Sequence, residues 1–282
     1  MQSKMTVRFW GVRGSIPSPG SSTVRYGGNT SCTSIHLPGD KALVLDAGSG
    51  IRDLGKFLSG NSAEIYIILS HSHWDHIHGF PFFHPIYQKT RNISLFPNRT
   101  EHNAICSLLD QMDGAHFPVS AESLPSQPHC VTGDDLEFLR SHGIHAGKIA
   151  TNHPGGGFGY RIESQGSSAV YLTDNELDPP YAKTTEFDGF VRFCRNADIL
   201  IHDAQYKESD MPLKHGWGHS LASQACALAA AAEVKHLILY HHDPDRTDDE
   251  VDAIQEEARE WLRRHGSATR CTAANEGLTL DL

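Results

Sequence analysis

The residues most able to carry chemistry lie in one segment, Leu69–Gly79, which reads Leu-Ser-His-Ser-His-Trp-Asp-His-Ile-His-Gly. It follows an apolar, β-branched run that is typical of a buried strand. Alternate residues of an extended segment point the same way, so His71 and His73 can face one cation. After the chain bends, Asp75 and His76 can face another. Because zinc accepts imidazole and carboxylate ligands, and carboxylate also suits manganese, the segment predicts a metal site.

Four other apolar runs also end in histidine or aspartate. The residues at those ends are Asp46, Asp174, the pair His202 and Asp203, and the pair His241 and His242. Ligands of α/β proteins gather at the carboxyl ends of strands, because the loops that follow converge there. We therefore expect these side chains to meet around the histidine-rich segment.

The composition is that of an ordinary globular protein, with 282 residues of which 39% are hydrophobic and 21% are charged. This length and the lack of a linker predict one domain, residues 1–282. Six scattered cysteines without a Cys-x-x-Cys pair argue against a disulfide framework and against a thiolate zinc site. Together with an N-terminal stretch that has no apolar signal region, they predict a cytoplasmic protein.

The charge balance bears on the substrate. The formal net charge is −10, and the sequence has no run of lysine or arginine. Binding of a long nucleic acid normally requires a basic surface, because many phosphates must be neutralised. Bound metal ions supply enough local positive charge for a small phosphate ester. We therefore expect a small phosphodiester as partner and no long nucleic acid. We expect no membrane partner either, since no apolar run approaches the ~20 residues of a membrane span.

The predicted elements place these residues in an alternating α/β pattern. Strands are predicted at Thr6–Val12, Cys32–Leu37, Lys41–Leu45, Glu64–Leu69, Ala169–Leu172, Asp198–Ile201 and His236–Tyr240. Helices are predicted at Ile51–Leu58, at Thr100–Met112, at Leu221–Ala232 after a Ser220 cap, and from the Thr247 capping box to Arg264. Residues Phe80–Pro97 are aromatic and rich in proline, whereas Gly114–Pro128 is irregular, contains three prolines, and fits a lid or edge of the pocket and a surface loop equally well.

The pattern His-x-His-x-Asp-His, formed by His71, His73, Asp75 and His76, resembles the signature of the metallo-β-lactamase fold superfamily. The resemblance implies an αββα sandwich, in which two mixed sheets face each other and helices cover the outside. It also implies two divalent metal ions, with zinc favoured and manganese or iron as alternatives. A homodimer is a further expectation, because relatives often dimerise.

The resemblance assigns a role to each candidate residue. The implied metal ligands are His71, His73, Asp75, His76, His153, Asp174 and His241. His153 lies in Thr-Asn-His-Pro-Gly-Gly, and Asp174 would bridge both ions. The family pattern favours His241 over the adjacent His242 as the ligand, which leaves His242 as a supporting group behind the ligands. Asp46 would orient the imidazole of one ligand.

Two further elements resemble the phosphodiesterase branch of that superfamily. Ile-His-Asp-Ala-Gln-Tyr at 201–206 and Gly-His-Ser at 218–220 are similar to the His-Glu-Ala-Thr and His-Ser-Thr elements of tRNase Z and its phosphodiesterase relatives, with Asp203 in place of glutamate. The resemblance implies attack on phosphorus by a hydroxide that both metals share, while His219, supported by Asp203, protonates the leaving oxygen. Asp75, His219 and Asp203 are therefore the predicted catalytic residues.

The substrate is predicted from what the chain lacks. Only 20 residues lie between His153 and Asp174, where tRNA-processing relatives usually carry a long arm. Phe-Trp-Gly-Val-Arg-Gly-Ser-Ile-Pro at 9–17 also resembles a bacterial group related to cyclic-nucleotide phosphodiesterases. We therefore expect hydrolysis of a small cyclic phosphodiester, foremost a 3′,5′-cyclic nucleotide. The alternatives are a phosphoribosyl cyclic phosphodiesterase, a tRNase Z-like RNA phosphodiesterase, a lactonase or other acyl hydrolase, and a non-catalytic metal- or nucleotide-binding module.

Overall fold

Two mixed β-sheets form the centre of the computed structural model, which describes residues 5–97 and 106–282. The first sheet has seven strands in the order β13-β1-β2-β3-β4-β5-β6. Its strands are β1 (Thr6–Gly11), β2 (Cys32–Leu37), β3 (Lys41–Leu45), β4 (Glu64–Ile68), β5 (Ile93–Phe96), β6 (His129–Cys130) and β13 (Thr279–Asp281). Strands β3 to β6 run parallel, and the pairs at the β13 side are antiparallel.

The second sheet has six strands in the order β12-β11-β10-β9-β8-β7. They are β7 (His145–Ala150), β8 (Phe158–Ser164), β9 (Ser167–Leu172), β10 (Ile199–Asp203), β11 (His236–Tyr240) and β12 (Arg270–Ala273). Strands β9 to β12 are parallel, whereas β7 and β8 pair antiparallel. Each sheet therefore contributes a set of parallel strands whose carboxyl ends share one edge.

Helices lie outside the sheets. They are α1 (Ile51–Leu58), α2 (Trp74–Ile77), α3 (Ser107–Asp110), α4 (Asp135–Ser141), α5 (Phe187–Cys194), α6 (Ala222–Ala231) and α7 (Asp248–Arg264). Short 3-10 helices occur at Phe80–Phe82, His84–Tyr87, Ala121–Ser123 and Glu208–Asp210. In the part of the chain that the structure covers, no helix combines the length and apolar character needed to cross a membrane.

Strand alternation explains the layers. In β11, Ile238 and Tyr240 point into a central core shared by both sheets, while Leu237 and Leu239 point outward against α5, α6 and α7. The outer face of the first sheet is covered in the same way by α1 and the 3-10 helices that follow α2. The predicted αββα sandwich of two facing mixed sheets is confirmed.

Several predicted boundaries differ from the structure. Leu221, not Ser220, is the residue that precedes the first turn of α6. The Ser220 hydroxyl donates to the Asn175 carbonyl oxygen at 2.6 Å and accepts from the Leu177 amide at 3.1 Å, so it joins two loops instead of capping the helix. The prediction of Ser220 as a cap was therefore wrong, because the buried hydroxyl has nearer partners.

The predicted helix Thr100–Met112 falls partly outside the described residues, which resume at Cys106. Within 106–112 only α3, four residues long, is helical. The backbone then turns, since the Met112 amide donates to the Leu109 carbonyl and Gly114 adopts a left-handed conformation with φ of 83°. The apolar side chains of this stretch pack against the first sheet without the support of a long helix.

A buried histidine at the start of β11 makes stability depend on pH. Burial, together with the nearby Arg270 and Arg259 guanidinium groups, lowers the pKa of His236 to about 4. Its Nε2 lies 2.9 Å from Thr272 Oγ1. Between pH 6.5 and 4 the unfolded chain therefore binds a proton at this position that the folded chain does not bind, so acid favours unfolding.

We expect wild type to lose about 1–2 kcal/mol more unfolding free energy between pH 7.5 and pH 5 than His236→Gln does. Urea denaturation of both proteins at the two pH values measures this difference. Identical losses in the two proteins would contradict the assignment.

Candidate metal centre

Three histidines meet at the first group of candidate ligands. His71 and His73 follow β4, and His153 lies between β7 and β8, so the two sheets both contribute. His153 Nε2 lies 3.0 Å from His73 Nδ1. One ring nitrogen from each of the three histidines lies within 4.8 Å of the others. His71 and His153 are buried, whereas His73 is exposed at the opening.

The second group contains Asp75, His76 and His241. The Asp75 Oδ2 atom lies 3.2 Å from His76 Nε2 and 3.2 Å from His241 Nε2. The two Nε2 atoms lie 3.3 Å apart. Because α2 carries Asp75 and His76 while His241 follows β11, this group also joins the two sheets.

Asp174 stands between the two groups. Its Oδ1 atom lies 3.3 Å from His76 Nε2 and 3.2 Å from His241 Nε2. Its Oδ2 atom lies 3.6 Å from His71 Nε2 and 3.8 Å from His153 Nε2. One oxygen of the Asp174 carboxylate therefore faces each group, so both groups have an anionic atom of the same side chain beside them.

Three residues that direct their side chains toward the site share an unusual backbone conformation. Asp46, Asp174 and His241 follow β3, β9 and β11, and their φ angles are 64°, 48° and 59°. Few residues other than glycine adopt this left-handed region, and such outliers cluster at functional sites. The left-handed conformation bends the backbone directly after each strand, and this bend directs the side chain toward the other sheet.

The donor set fits divalent cations. The His71 Nε2 atom is buried, and none of the described residues forms a hydrogen bond to it. The facing Nε2 atoms of His76 and His241 can share only one proton between them, whereas a cation satisfies both. Ligand atoms about 2.0–2.1 Å from a tetrahedral zinc ion lie about 3.3 Å from each other. The separations of 3.2–3.3 Å in the second group match that spacing.

The electrostatics of the site also favour positive charge. Burial alone would raise the pKa of Asp174, but His241, His76 and His71 hold it well below its usual range. Burial opposes charge on His76 too, yet Asp75, Asp174 and Asp46 raise its pKa well above the usual value. The buried carboxylates therefore stabilise a positive charge at this position by more than burial destabilises it.

Two histidines of the first group, His71 and His153, have lowered pKa values, which favours their neutral form. Burial and the neighbouring His76 lower the pKa of His71 well below its usual value. Burial also lowers the pKa of His153, to about 4, against the opposing effect of Asp174. Neutral imidazoles are the form in which histidine binds a metal, so both rings are ready to act as ligands.

A second layer of contacts fixes the ligand side chains. Asp46 Oδ2 lies 2.8 Å from His76 Nδ1, and the Gly218 carbonyl oxygen lies 3.0 Å from His153 Nδ1. The interaction of Asp46 agrees with its predicted orienting role. Such partners fix the tautomer and the direction of a ligand ring.

Sequence reasoning missed two supporting residues. Gln205 Oε1 accepts a hydrogen bond from His241 Nδ1 at 2.9 Å. The Ser15 backbone amide donates to Asp75 Oδ2 at 2.7 Å. Gln205 lies two residues after Asp203, in the element at 201–206 that the sequence analysis identified. Its polar side chain in that element was the signal that could have indicated a supporting role. The contact of Ser15 uses only its backbone and leaves no such signal.

The structure separates the neighbouring His241 and His242. His241 points at Asp75 and Asp174, as described above. The Nε2 atom of His242 instead lies 2.8 Å from the Ala274 carbonyl oxygen, and its ring packs edge-on against Tyr26. The geometry therefore directs His241, and not His242, toward the proposed cations. Among the described contacts, the His242 side chain forms no hydrogen bond to a candidate ligand.

The predicted acid pair lies beside this centre. His219 Nδ1 donates to Asp203 Oδ2 at 2.6 Å and lies 4.0 Å from Asp174 Oδ2. The His219 ring stacks on that of His241 with centroids 5.0 Å apart. Burial disfavours the charged imidazolium, but the Asp203 carboxylate outweighs this effect and raises the pKa of His219 to about 9. Cations bound nearby would lower it again.

A family comparison identifies the chain. The model of the β-lactamase superfamily domain matches residues 43–242. The chain belongs to this superfamily. The matched range contains all of the predicted ligands and the His219–Asp203 pair. The superfamily predicted from the sequence is therefore confirmed.

Curated relatives of this superfamily member are ribonucleases Z. The chain is 25% identical over 275 residues to ribonuclease Z of Natronomonas pharaonis, an alignment that covers 84% of this chain and 86% of the relative. It is 34% identical over 130 residues to ribonuclease Z of Thermoplasma acidophilum, which covers 44% of this chain and 36% of the relative. The chain therefore spans about a third of the latter protein.

Solved structures share the superfamily fold over almost the whole chain. A metallo-β-lactamase fold protein from Bacillus subtilis has a TM-score of 0.70 at 18% identity, covering 99% of this chain and 100% of the other. A diphosphatase of the PhnP family has a TM-score of 0.67 at 20% identity, and the alignment covers 100% of this chain and 98% of the other. The short form of human tRNase Z has a TM-score of 0.61 at 19% identity, covering 98% and 99%. The superfamily and its ribonuclease Z relatives indicate a metal-dependent hydrolase, as the sequence predicted, and the solved structures confirm the fold.

Within the superfamily site, Asp46→Asn is expected to weaken metal binding about 10- to 100-fold. The Asp46 carboxylate accepts from the Ser70 amide, the Ser70 hydroxyl and the Tyr171 hydroxyl in addition to contacting His76. The neutral amide of the variant holds the His76 ring less firmly than the carboxylate does. Its NH₂ group would also face the Ser70 and Tyr171 groups, which are themselves hydrogen-bond donors. Competition between the protein and a coloured zinc chelator measures the affinity. Tyr171→Phe removes one bond to the carboxylate and should have the smaller effect, whereas equal affinities in wild type and Asp46→Asn would refute the role.

Proposed function

We propose that this protein is a metal-dependent phosphodiesterase that hydrolyses a small cyclic phosphodiester, foremost a 3′,5′-cyclic nucleotide. The observation that carries the proposal is the His219–Asp203 pair, with His219 Nδ1 4.0 Å from the Asp174 carboxylate that faces both ligand groups. A proton donor beside a two-cation site is what cleavage of a phosphodiester with a poor leaving group requires. The ribonuclease Z relatives support phosphodiester chemistry.

The proposed cofactors are two divalent cations, foremost zinc. His71, His73 and His153 would hold one, and Asp75, His76 and His241 the other, with Asp174 between them. When bound, such a pair supplies a nucleophilic hydroxide at neutral pH and offsets charge on the phosphoryl oxygens. Two His-rich sets suit zinc, while the two carboxylates also admit manganese or iron.

The residues of the chain then handle the proton. The Nδ1 atom of His219 is held by Asp203, so its Nε2 is the atom that can donate to the leaving oxygen. A ribose alkoxide is a poor leaving group, and a positioned acid accelerates its departure about 10²- to 10⁴-fold. Asp203 keeps the imidazole in one orientation and favours its charged form, which resets the acid after each turnover.

The region between His153 and Asp174 supports a small substrate. It contains the hairpin of β8 and β9, in which Ser164 pairs with Ser167 across a two-residue turn. Gln165 and Gly166 have φ angles of 52° and 83°, the combination of a tight hairpin turn. A turn this short leaves no place for the long arm of tRNA-processing relatives, so we propose a partner smaller than tRNA.

The test is hydrolysis by metal-loaded protein of cyclic AMP and cyclic GMP, measured beside bis(p-nitrophenyl) phosphate. Cleavage of a cyclic nucleotide is the expected result. Cleavage of bis(p-nitrophenyl) phosphate alone would overturn the cyclic-nucleotide assignment and leave a phosphodiesterase. Ribose 1,2-cyclic phosphate tests the phosphoribosyl alternative, and a thioester and a lactone test acyl hydrolysis.

A tRNase Z-like activity is the second candidate, because ribonuclease Z of Natronomonas pharaonis aligns over 84% of this chain. A tRNA precursor with a 3′ trailer tests it in the same assay. Release of the trailer with no cleavage of cyclic nucleotides would favour this candidate. Binding of cyclic AMP without turnover of any substrate would favour a non-catalytic module.

A further inference from the structure

Two exposed tryptophans are close neighbours, in the sequence, of residues in the metal centre. Trp74 is 83% exposed and stands between the candidate ligands His73 and Asp75. Trp217 is 59% exposed and precedes His219 by two residues. Large aromatic side chains normally bury most of their surface. Two exposed indoles directly beside predicted catalytic and ligand residues therefore suggest a binding role.

One imidazole connects the two tryptophan-bearing segments. His153 Nε2 lies 3.0 Å from His73 Nδ1, and His153 Nδ1 lies 3.0 Å from the Gly218 carbonyl oxygen. Trp74 follows His73, and Trp217 precedes Gly218. The two segments thus approach the same ligand from opposite sides, one from the first sheet and one from the second.

The backbone on both sides of Trp217 is fixed. Gly216 and Gly218 have φ angles of 90° and 92°, which side-chain-bearing residues rarely adopt. The amides of these two glycines donate to the two carboxylate oxygens of Glu176, at 2.8 Å and 2.9 Å. Glu176 is 1% exposed. A buried carboxylate thus holds the segment that presents an indole to solvent, so the position of Trp217 is not that of a loose surface loop.

An aromatic row leads from the proposed acid toward this indole. The Tyr206 ring lies 5.5 Å from the His219 ring, and Lys214 Nζ lies 5.0 Å from the centre of the Tyr206 ring. Lys214 Nζ also lies 5.4 Å from the centre of the Trp217 ring and 3.2 Å from Asp243 Oδ2. In a cyclic nucleotide the leaving oxygen belongs to the ribose that also carries the base. Tyr206 is 1% exposed, so Trp217 is the ring of this row that a base can reach from solvent when the leaving oxygen of its ribose lies at His219.

We propose that Trp217 stacks on the nucleobase of the substrate and is the main determinant of preference for a base-bearing phosphodiester, with Trp74 bounding the other side of the opening. The inference rests on the proposed function and adds to it the residue that selects the nucleoside part. Stacking on an aromatic side chain tolerates every base, because each base has a π face. The site should therefore prefer nucleotides to base-free esters while accepting purines and pyrimidines.

The test compares kcat/KM for cyclic AMP with kcat/KM for 1-O-methylribose 3′,5′-cyclic phosphate, which lacks the base. Trp217→Ala is expected to lower the ratio of the two about 5- to 100-fold, mainly through KM of cyclic AMP. Trp217→Phe should retain most of the preference. Leu213→Ala is the matched control, because Leu213 is 87% exposed in the same connection, and it should leave the ratio unchanged. An equal loss on both substrates in Trp217→Ala would indicate a structural role and overturn the inference.

A binding measurement separates this inference from the proposed function. AMP, which has the base but no phosphodiester to cleave, should quench the tryptophan fluorescence of wild type, and Trp217→Phe should lose most of that quenching. If no cyclic phosphodiester is hydrolysed but this pattern holds, the proposed function fails and the stacking site stands. If both cyclic esters are cleaved, but the ratio is the same in wild type and Trp217→Ala and the quenching is the same in wild type and Trp217→Phe, the stacking site fails and the function stands.

Discussion

His219→Ala is expected to lower kcat on cyclic AMP by about 10²- to 10⁴-fold, with a much smaller loss on bis(p-nitrophenyl) phosphate. The ribose oxygen leaves as a strongly basic alkoxide and needs a proton, whereas p-nitrophenolate is a stable anion at neutral pH. His219 is the buried imidazole that Asp203 holds at 2.6 Å, beside the carboxylate of Asp174. Steady-state kinetics with both substrates, on protein whose metal content has been measured, give the two losses.

Two further variants make this result specific to the acid. Asp203→Asn keeps the shape of the side chain but removes the charge that favours imidazolium, so it should reproduce the selective loss in weaker form. His265→Ala removes a histidine that stacks on Trp261 at the end of α7, and it should leave both activities intact. Losses of similar size on the two substrates in His219→Ala would exclude a general-acid role.

Asp174→Asn is expected to reduce the bound metal from two ions per chain to one or none and to remove most of the stabilisation that metal provides. One carboxylate oxygen faces each ligand group, and an amide cannot supply two anionic oxygens. Wild type with two bound ions should gain about 5 kcal/mol of unfolding free energy at free zinc 100 times the Kd of both sites, which is about 2.7 kcal/mol for each ion. The variant should gain less than about 1 kcal/mol at the same zinc concentration.

Elemental analysis and thermal unfolding, with and without zinc, measure these two effects. Comparing zinc-loaded with zinc-free protein of the same variant cancels any effect of the substitution on the metal-free fold. Asp178→Asn is the control, because Asp178 follows Asp174 in the same loop and pairs at the surface with Lys183 at 3.0 Å. Two ions per chain in Asp174→Asn would show that the carboxylate is not shared.

The site residues that could be predicted are those whose position depends only on the local sequence at the end of one strand. Asp46, Asp174 and His241 each follow a clear apolar run, so both the strand and the polar residue after it are visible in the sequence. The contact of Gln205 with His241 could not be predicted in the same way. It depends on β10 and β11 lying side by side in parallel, which is a property of the assembled sheet.

Two of the strands that sequence reasoning missed, β7 and β13, have a weak hydrophobic signal. β7 reads His-Ala-Gly-Lys-Ile-Ala at the edge of the second sheet and is nowhere fully buried. β13 has three residues, of which two are exposed, and it lies at the edge of the first sheet. Edge strands are specified by pairing with a neighbour more than by burial, so a search for apolar runs passes over them.

The candidate ligands come from both sheets, and this has a mechanical consequence. Each of the two groups contains side chains from the segment after β4, in the first sheet, and at least one side chain from the second sheet. A bound ion would therefore act as a clamp across one rim of the sandwich. With chelator present, that rim would be held by contacts such as Tyr171 with Asp46, and backbone amides at the carboxyl ends of β4, β9 and β11 would exchange with deuterated solvent sooner than those at the opposite rim.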